Sequence, residues 1–116
     1  MMDTESPESS DTRLAADLFA LAHPVRLALV RHLAGRDACC NKDLVGRIGL
    51  AQSTVSQHLK ILVDAGLVTY RPDRQRSRYS LDPARLEALS AAFSDVARFA
   101  NGCCAAKAET KTDRMA

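Results

Sequence analysis

Four cysteines fall in two doublets, Cys39-Cys40 and Cys103-Cys104, in a chain of 116 residues. Thiolates are soft ligands that favour trivalent arsenic and antimony, Cu(I) and Cd(II) over hard cations. Two neighbouring thiols can chelate such an ion at little ordering cost, and a third completes a pyramidal arsenic site. Adjacent Cα atoms sit about 3.8 Å apart, whereas disulfides want roughly 4.4–6.8 Å, so neither doublet should close on itself. Cys39, Cys40, Cys103 and Cys104 are therefore the candidate metal ligands, within one subunit or across two. Cys39-Cys40 precedes an expected helix N-terminus with Lys42 nearby, which favours thiolate, whereas a helix C-terminus beside Cys103-Cys104 disfavours it. The first doublet is thus expected to capture an ion and the second to lock it. A four-thiolate zinc site and, for Cys39-Cys40, small buried filler are the other readings.

The second chemical feature is the run from Ala51 to Gly66. With residues about 100° apart around a helix, Val55, Leu59 and Leu62 share one narrow sector, the core face. Ser53, Gln57 and Lys60 fall roughly opposite, with Thr54 and Ser56 on the flanks. Ser and Gln carry both donors and acceptors, and Gln can bridge an adenine edge in the major groove. Lys60 suits a phosphate. His58 lies near the edge of the buried sector, as a boundary residue. Downstream, residues 71–78 carry Arg71, Arg74, Arg76 and Arg78 against one Asp. Arg holds phosphate oxygens bidentately, and a two-stranded ribbon can lie along a minor groove. The bland alternatives are a solvated amphipathic helix and a hairpin tip charged for solubility.

The elements that would position these residues follow from periodicity and caps. A first helix is expected over about residues 12–22, with Leu14, Leu18 and Leu21 on one face. Pro24 opens a second, to about Gly35. A connector holds Cys39-Cys40. A short third helix runs from Asn41, its expected cap, to Ile48, where Gly49 permits a tight turn. The fourth, the reading helix, spans about Gln52 to Ala65 with Gly66 as its stop. Val68 and Tyr70, then Tyr79 and Leu81, alternate with polar residues as a β-hairpin. Asp82-Pro83 opens a last helix, in which Leu86, Leu89, Phe93, Val96 and Ala100 form a coiled-coil-like seam ending at Gly102.

The fold class is thus mainly α with a β-hairpin wing, α-α-α-α-β-β-α, a winged helix-turn-helix. Residues 1–11 read as a disordered acidic tail, 12–102 as the DNA-binding and dimerisation domain, and 103–116 as a flexible tail carrying the second doublet. Apolar residues make up 47% and aromatics 4%, so a small aliphatic core is expected, of the kind often completed by a second subunit. A net charge of +2 is too weak to argue for nucleic acid alone, but the basic residues are local. No signal pattern or membrane-length apolar run is present, which makes the cytosol the expected location and keeps the thiols reduced. Cys-x-x-Cys is missing, and His23, His32 and His58 show no catalytic pairing, so an enzyme is not expected. His23 before Pro24 reads as a helix-entry residue.

In Leu21-Ala-His-Pro-Val-Arg-Leu-Ala-Leu-Val30, Asp43-Leu44, Leu50 through Lys60, Ala65-Gly-Leu-Val68 and Arg78-Tyr-Ser-Leu81, the chain resembles the ArsR/SmtB family of metal-responsive repressors over about residues 14–100. The resemblance implies a homodimer through the first and last helices, binding to double-stranded operator DNA, and release by an inducer rather than a constitutive cofactor. It assigns base reading to Gln52, Ser53, Ser56 and Gln57. Arsenic-responsive members often carry Cys-x-Cys-Asp-Leu, and alignment on Asp43-Leu44 puts Cys40 on the first cysteine and Lys42 on the second, with Cys39 an extra thiol. Zinc-type members use Asp and His on the last helix, which here holds no His. The expected inducer is As(III) or Sb(III), with other thiophilic metals possible. A thiol-redox or persulfide sensor of the same fold is the nearest alternative, although the second helix lacks the cysteine such relatives use. A thiol-buffering protein without DNA is the alternative of another class.

Overall fold

The computed structural model describes the backbone of residues 7–74 and 76–103, and the side chains of residues 10–74 and 76–102. Five helices and a small sheet follow in the order α1 (Pro7–Leu21), α2 (Pro24–Leu33), β1 (Cys39–Cys40), α3 (Asn41–Ile48), α4 (Gln52–Asp64), β2 (Val68–Asp73), β3 (Arg76–Leu81) and α5 (Pro83–Cys103). This is a winged helix-turn-helix. Helices α2, α3 and α4 pack on one another, and α4 also packs on β2. Between them Leu29, Leu33, Leu44, Val55, Leu59, Leu62 and Leu67 are fully buried.

The helix ends are fixed largely as the sequence requires. His23 caps α2, its Nδ1 accepting from the Val25 amide at 3.0 Å, with Pro24 in the first turn. Gly49 ends α3 at φ 80°, a left-handed geometry that costs glycine nothing. At the end of α4 the Leu67 amide reaches the Leu62 carbonyl and Gly66 reaches Val63, with Gly66 at φ 84°. This is a Schellman closure. Asp82 Oδ1 accepts from the amides of Ala84 and Arg85 to start α5.

Several expectations are corrected. Helix α1 begins at Pro7, so residues 7–11 are helical rather than part of a disordered tail. Of the expected face Leu14 and Leu21 pack half-buried on the core, whereas Leu18 is exposed; Ala20 and Asp17 are the buried residues among those described in α1. Helix α2 stops at Leu33. Asn41 does not cap α3: it is the first helical residue, Cys40 holds the cap position without a side-chain bond, and Asn41 Oδ1 is buried without a partner. Helix α5 runs through Gly102 to Cys103, so Gly102 is not its stop and Cys103 is helical rather than in a loose tail. Cys104 lies outside the described residues.

The largest departure is β1. The hairpin is the main part of a three-stranded antiparallel sheet in the order β1-β3-β2. The supposed connector pairs with the wing, Cys39 opposite Tyr79 and Cys40 opposite Arg78.

Candidate nucleic-acid interface and thiol strand

The turn at Gly49 sets α3 against α4, and Val55, Leu59 and Leu62 seat α4 in the core with no exposure. This leaves Gln52, Ser53, Gln57 and Lys60 exposed, with Thr54 and Ser56 half-buried at the flanks. Among the described residues, none of the Gln52, Ser53, Thr54, Ser56 and Gln57 side chains is hydrogen-bonded within the protein. An unengaged row of amides and hydroxyls on a rigid helix suits the donor and acceptor pattern of base edges. Lys60 differs: it is paired with Asp64 at 3.2 Å on the exposed surface, a contact weak enough for a phosphate to displace.

What orients α4 is a junction that its pattern does not reveal. Arg26, almost fully buried, donates from Nε to the Ala20 carbonyl at 2.6 Å and from Nη2 to the Phe19 carbonyl at 3.3 Å. It thereby closes the C-terminal end of α1, where unpaired carbonyls gather. Its Nη1 is 3.0 Å from His58 Nδ1 on α4. The His58 ring also packs on His23, with centroids 4.3 Å apart. His58 is thus a boundary residue, half-buried. Burial first, then the charges of His23 and Arg26, push its pKa down.

The wing divides its four arginines. Arg78 faces Arg71 across the ladder, an unfavourable like-charge pair, and is held by Asp73 through Nε at 2.9 Å. Arg78 therefore braces the wing. Arg71, Arg74 and Arg76 are exposed, and none is in an ion pair among the described residues. Arg74 turns the tip at φ 56°, where glycine or asparagine is usual in a two-residue hairpin loop. Tyr70 and Tyr79 pack at 5.3 Å and fix the strands behind the tip.

Strand β1 splits the first thiol doublet. Successive side chains in a strand project to opposite faces. Cys39 joins the core cluster with Leu29, Leu33 and Leu44 and borders the groove between α2 and α3, whereas Cys40 stands outside that cluster. Cys40 instead lines a cleft of about 570 Å³ shared with Gln52 of the reading helix and with Arg76 and Ser77 of the wing. Both cysteines are buried, and neither is in a disulfide among the described residues. Burial, ahead of the charges around it, raises the Cys39 pKa, so the expected thiolate character fails there. The helix N-terminus and Lys42 do not offset desolvation. Among the described residues no three Cys, His, Asp or Glu side chains converge as a metal site. Residues 93–102, which lead to Cys103, are exposed. The Arg26–His58 junction and β1 were missed by sequence reading. Arg26 gave no signal, since two of its partners are backbone carbonyls and the third, His58, is distant in sequence.

Residues 23–70 match the model of the bacterial regulatory proteins of the arsR family. The HTH-type transcriptional regulator YgaV of Escherichia coli (strain K12) is 32% identical over 96 residues, which cover 83% of this chain and 97% of that protein. The arsenical resistance operon repressor of Bacillus subtilis (strain 168) is 37% identical over 70 residues, covering 60% of this chain and 67% of that one. An ArsR-like transcriptional regulator from Rhodococcus sp. RHA1 superposes with a TM-score of 0.74 at 22% identity, over 88% of this chain and 95% of that one; this likeness concerns the fold.

Proposed function

The chain belongs to the ArsR/SmtB family of bacterial transcriptional repressors, which bind operator DNA and are not enzymes, and on that premise we propose that a thiophilic inducer releases it from DNA by prising β1 off the wing. The inducer class is trivalent arsenic or antimony, held by Cys39 and Cys40 and completed by a thiol of Cys103 or Cys104.

The observation that carries this reading is that Cys39 and Cys40 occupy a two-residue strand paired to the wing strand β3. Their side chains project to opposite faces of that strand. One ion cannot take both thiolates while the pairing lasts. Capture therefore rotates one cysteine out of the strand and breaks the register with Tyr79 and Arg78. A two-residue pairing is cheap to lose, at about 1 kcal/mol per backbone hydrogen bond, whereas even structural zinc sites in peptides bind their ion with on the order of 10 kcal/mol. Displacing the wing and the floor of the Gln52 cleft loosens DNA by the usual allosteric coupling of about 1–3 kcal/mol.

Operator binding in this reading uses two copies. Exposed Leu18 and Phe19 on α1 and Phe93, Val96 and Phe99 on α5 form an apolar surface fitted to its own counterpart. Two reading helices then engage half-sites about one helical turn apart.

The test is a gel shift on the DNA upstream of the chain's own gene, with arsenite, antimonite, cadmium, copper(I), zinc and a persulfide donor added in turn. Arsenite should release wild type, and Cys39→Ser/Cys40→Ser should abolish release. Unchanged release in that variant and in Cys103→Ser/Cys104→Ser would dispose of the thiol site. The thiol-redox or persulfide reading draws support from the opposed faces, because modification of Cys40 alone needs no chelation. It requires the persulfide donor to release DNA where arsenite does not.

A further inference from the structure

We propose that the groove between α2 and α3 is a second DNA-backbone site, which takes phosphates flanking the half-site read by α4. The proposal rests on the repressor reading above and extends it to residues outside the reading helix and wing.

The groove is lined by Arg31, His32, Arg36, Lys42 and Arg47, with Asp43 its one acid. Arg31, Arg36, Lys42 and Arg47 are all exposed. None of the four is in an ion pair among the described residues; the one side-chain bond is from Arg36 Nη1 to the His32 carbonyl. Like charges so placed repel one another and leave a positive field. His32 does not add to that charge at neutral pH, since burial and the adjacent Arg36 and Arg47 push its pKa down.

Helix dipoles explain part of this pattern. Arg31 and His32 lie in the last turn of α2 and Arg47 in the last turn of α3, where cations are favoured. Arg36, just beyond α2, donates to the last-turn carbonyl of His32 and fits the same account, but Lys42 does not, since it lies in the first turn of α3 where a cation is disfavoured. Nor do the dipoles explain why both helix ends open onto one groove. A polyanion does explain these.

Lys42 also identifies which polyanion. It lines both this groove and the cleft that holds Gln52, Arg76 and Ser77. The positive surface is therefore continuous from the wing, past the first residue of the reading helix, to the C-terminal end of α2. A duplex whose major groove receives α4 presents its own backbone to the start of that track. The groove is open rather than enclosed, and its cations are spread along it, which suits successive phosphates better than one small anion.

The experiment compares two duplexes from the DNA upstream of the gene: one trimmed to the protected half-sites, one longer by about one helical turn at each end. Binding is measured against salt for wild type, for Arg31→Gln/Arg47→Gln, and for Gln57→Ala as a control on reading. Each phosphate contact contributes about 0.9 to the slope of log affinity against log salt. Wild type should show a steeper slope on the long duplex than on the trimmed one. The groove variant should lose that difference, by about 2 per subunit, while matching wild type on the trimmed duplex. Equal slopes for wild type and the groove variant on the long duplex would overturn the proposal, as would equal losses by the variant on both duplexes. Failure of the repressor reading looks different: Gln57→Ala would then bind as wild type does, with no preference for the upstream sequence.

Discussion

Nη1 of Arg26 lies 3.0 Å from Nδ1 of His58, and the same guanidinium closes the end of α1 on the carbonyls of Ala20 and Phe19. One buried cation thus ties α1, α2 and the reading helix together. Since Arg only donates, His58 Nδ1 must accept, and the ring is neutral with its proton on Nε2. Protonating it would place an imidazolium against Arg26 and His23.

This makes stability pH-dependent in a defined direction. His58 and His32 both have folded pKa values below the ordinary 6.5. Above that value both states are neutral and nothing changes. As pH falls below it, the unfolded chain takes up protons that the folded chain resists, so stability is lost. The denaturant midpoint should therefore fall between pH 7.5 and about 5.5. His58→Gln keeps an acceptor for Arg26 and cannot charge, so its midpoint should fall less, with the remainder owed to His32. An identical pH slope in the variant would show that the Arg26–His58 contact does not govern the effect.

Gly66 and Gly46 should respond to alanine with opposite signs. Gly66 sits at φ 84°, and a Cβ there would meet Arg85 Nε at 3.2 Å. Arg85 holds buried Asp17 at 2.8 Å and the Ala65 carbonyl at 2.9 Å, so it has little room to yield. Gly66→Ala should cost about 1–2 kcal/mol from backbone strain alone. Gly46 lies inside α3 with open space around it, and Gly46→Ala should stabilise by roughly 0.5–1 kcal/mol. Urea melts of both variants, compared at equal m-value, check the pair.

Why some of this was legible in the sequence and some was not has a physical basis. Val55, Leu59 and Leu62 declare a helix face through spacing alone, and Pro24, Gly49, Gly66 and Asp82-Pro83 mark ends through local chemistry. Those elements stand where the sequence places them, within a residue or two. Strand β1 was not legible because two residues are too few to alternate and its partner, Tyr79-Arg78, lies about forty positions away. Arg26 reads as one more surface arginine, since its burial depends on where α1 happens to end. The acid-rich start of α1 reads as solvated chain, and composition there says nothing about a helix that begins at Pro7.

The apolar seam on α5 should be the dimer contact. Within one chain only its first turns are covered: Leu89 is buried, whereas Phe93 is 51% exposed, Val96 50% and Phe99 78%. Burying a Phe side chain is worth about 1.5–3 kcal/mol. Sedimentation should give a dimer for wild type, and Phe99→Glu should weaken association by at least tenfold and operator binding with it. A monomeric wild type that still binds the operator tightly would rule this face out.

Inducer capture should be visible in the wing as well as at the thiols. The register Cys39 to Tyr79 and Cys40 to Arg78 protects backbone amides only while β1 stays paired. If one ion takes both thiolates, that pairing opens, and amide exchange at residues 39–40 and 78–79 should quicken on adding arsenite. The core of α4 should keep its protection, because α4 packs chiefly on α2, α3 and β2. Cys40→Ser should abolish the change. Before arsenite is added, Cys39 should alkylate more slowly than an exposed thiol and gain rate only at more alkaline pH, since burial raises its pKa. DNA release with the β1–β3 amides still protected would place the relay elsewhere, and the two-faced strand would then be only part of the core.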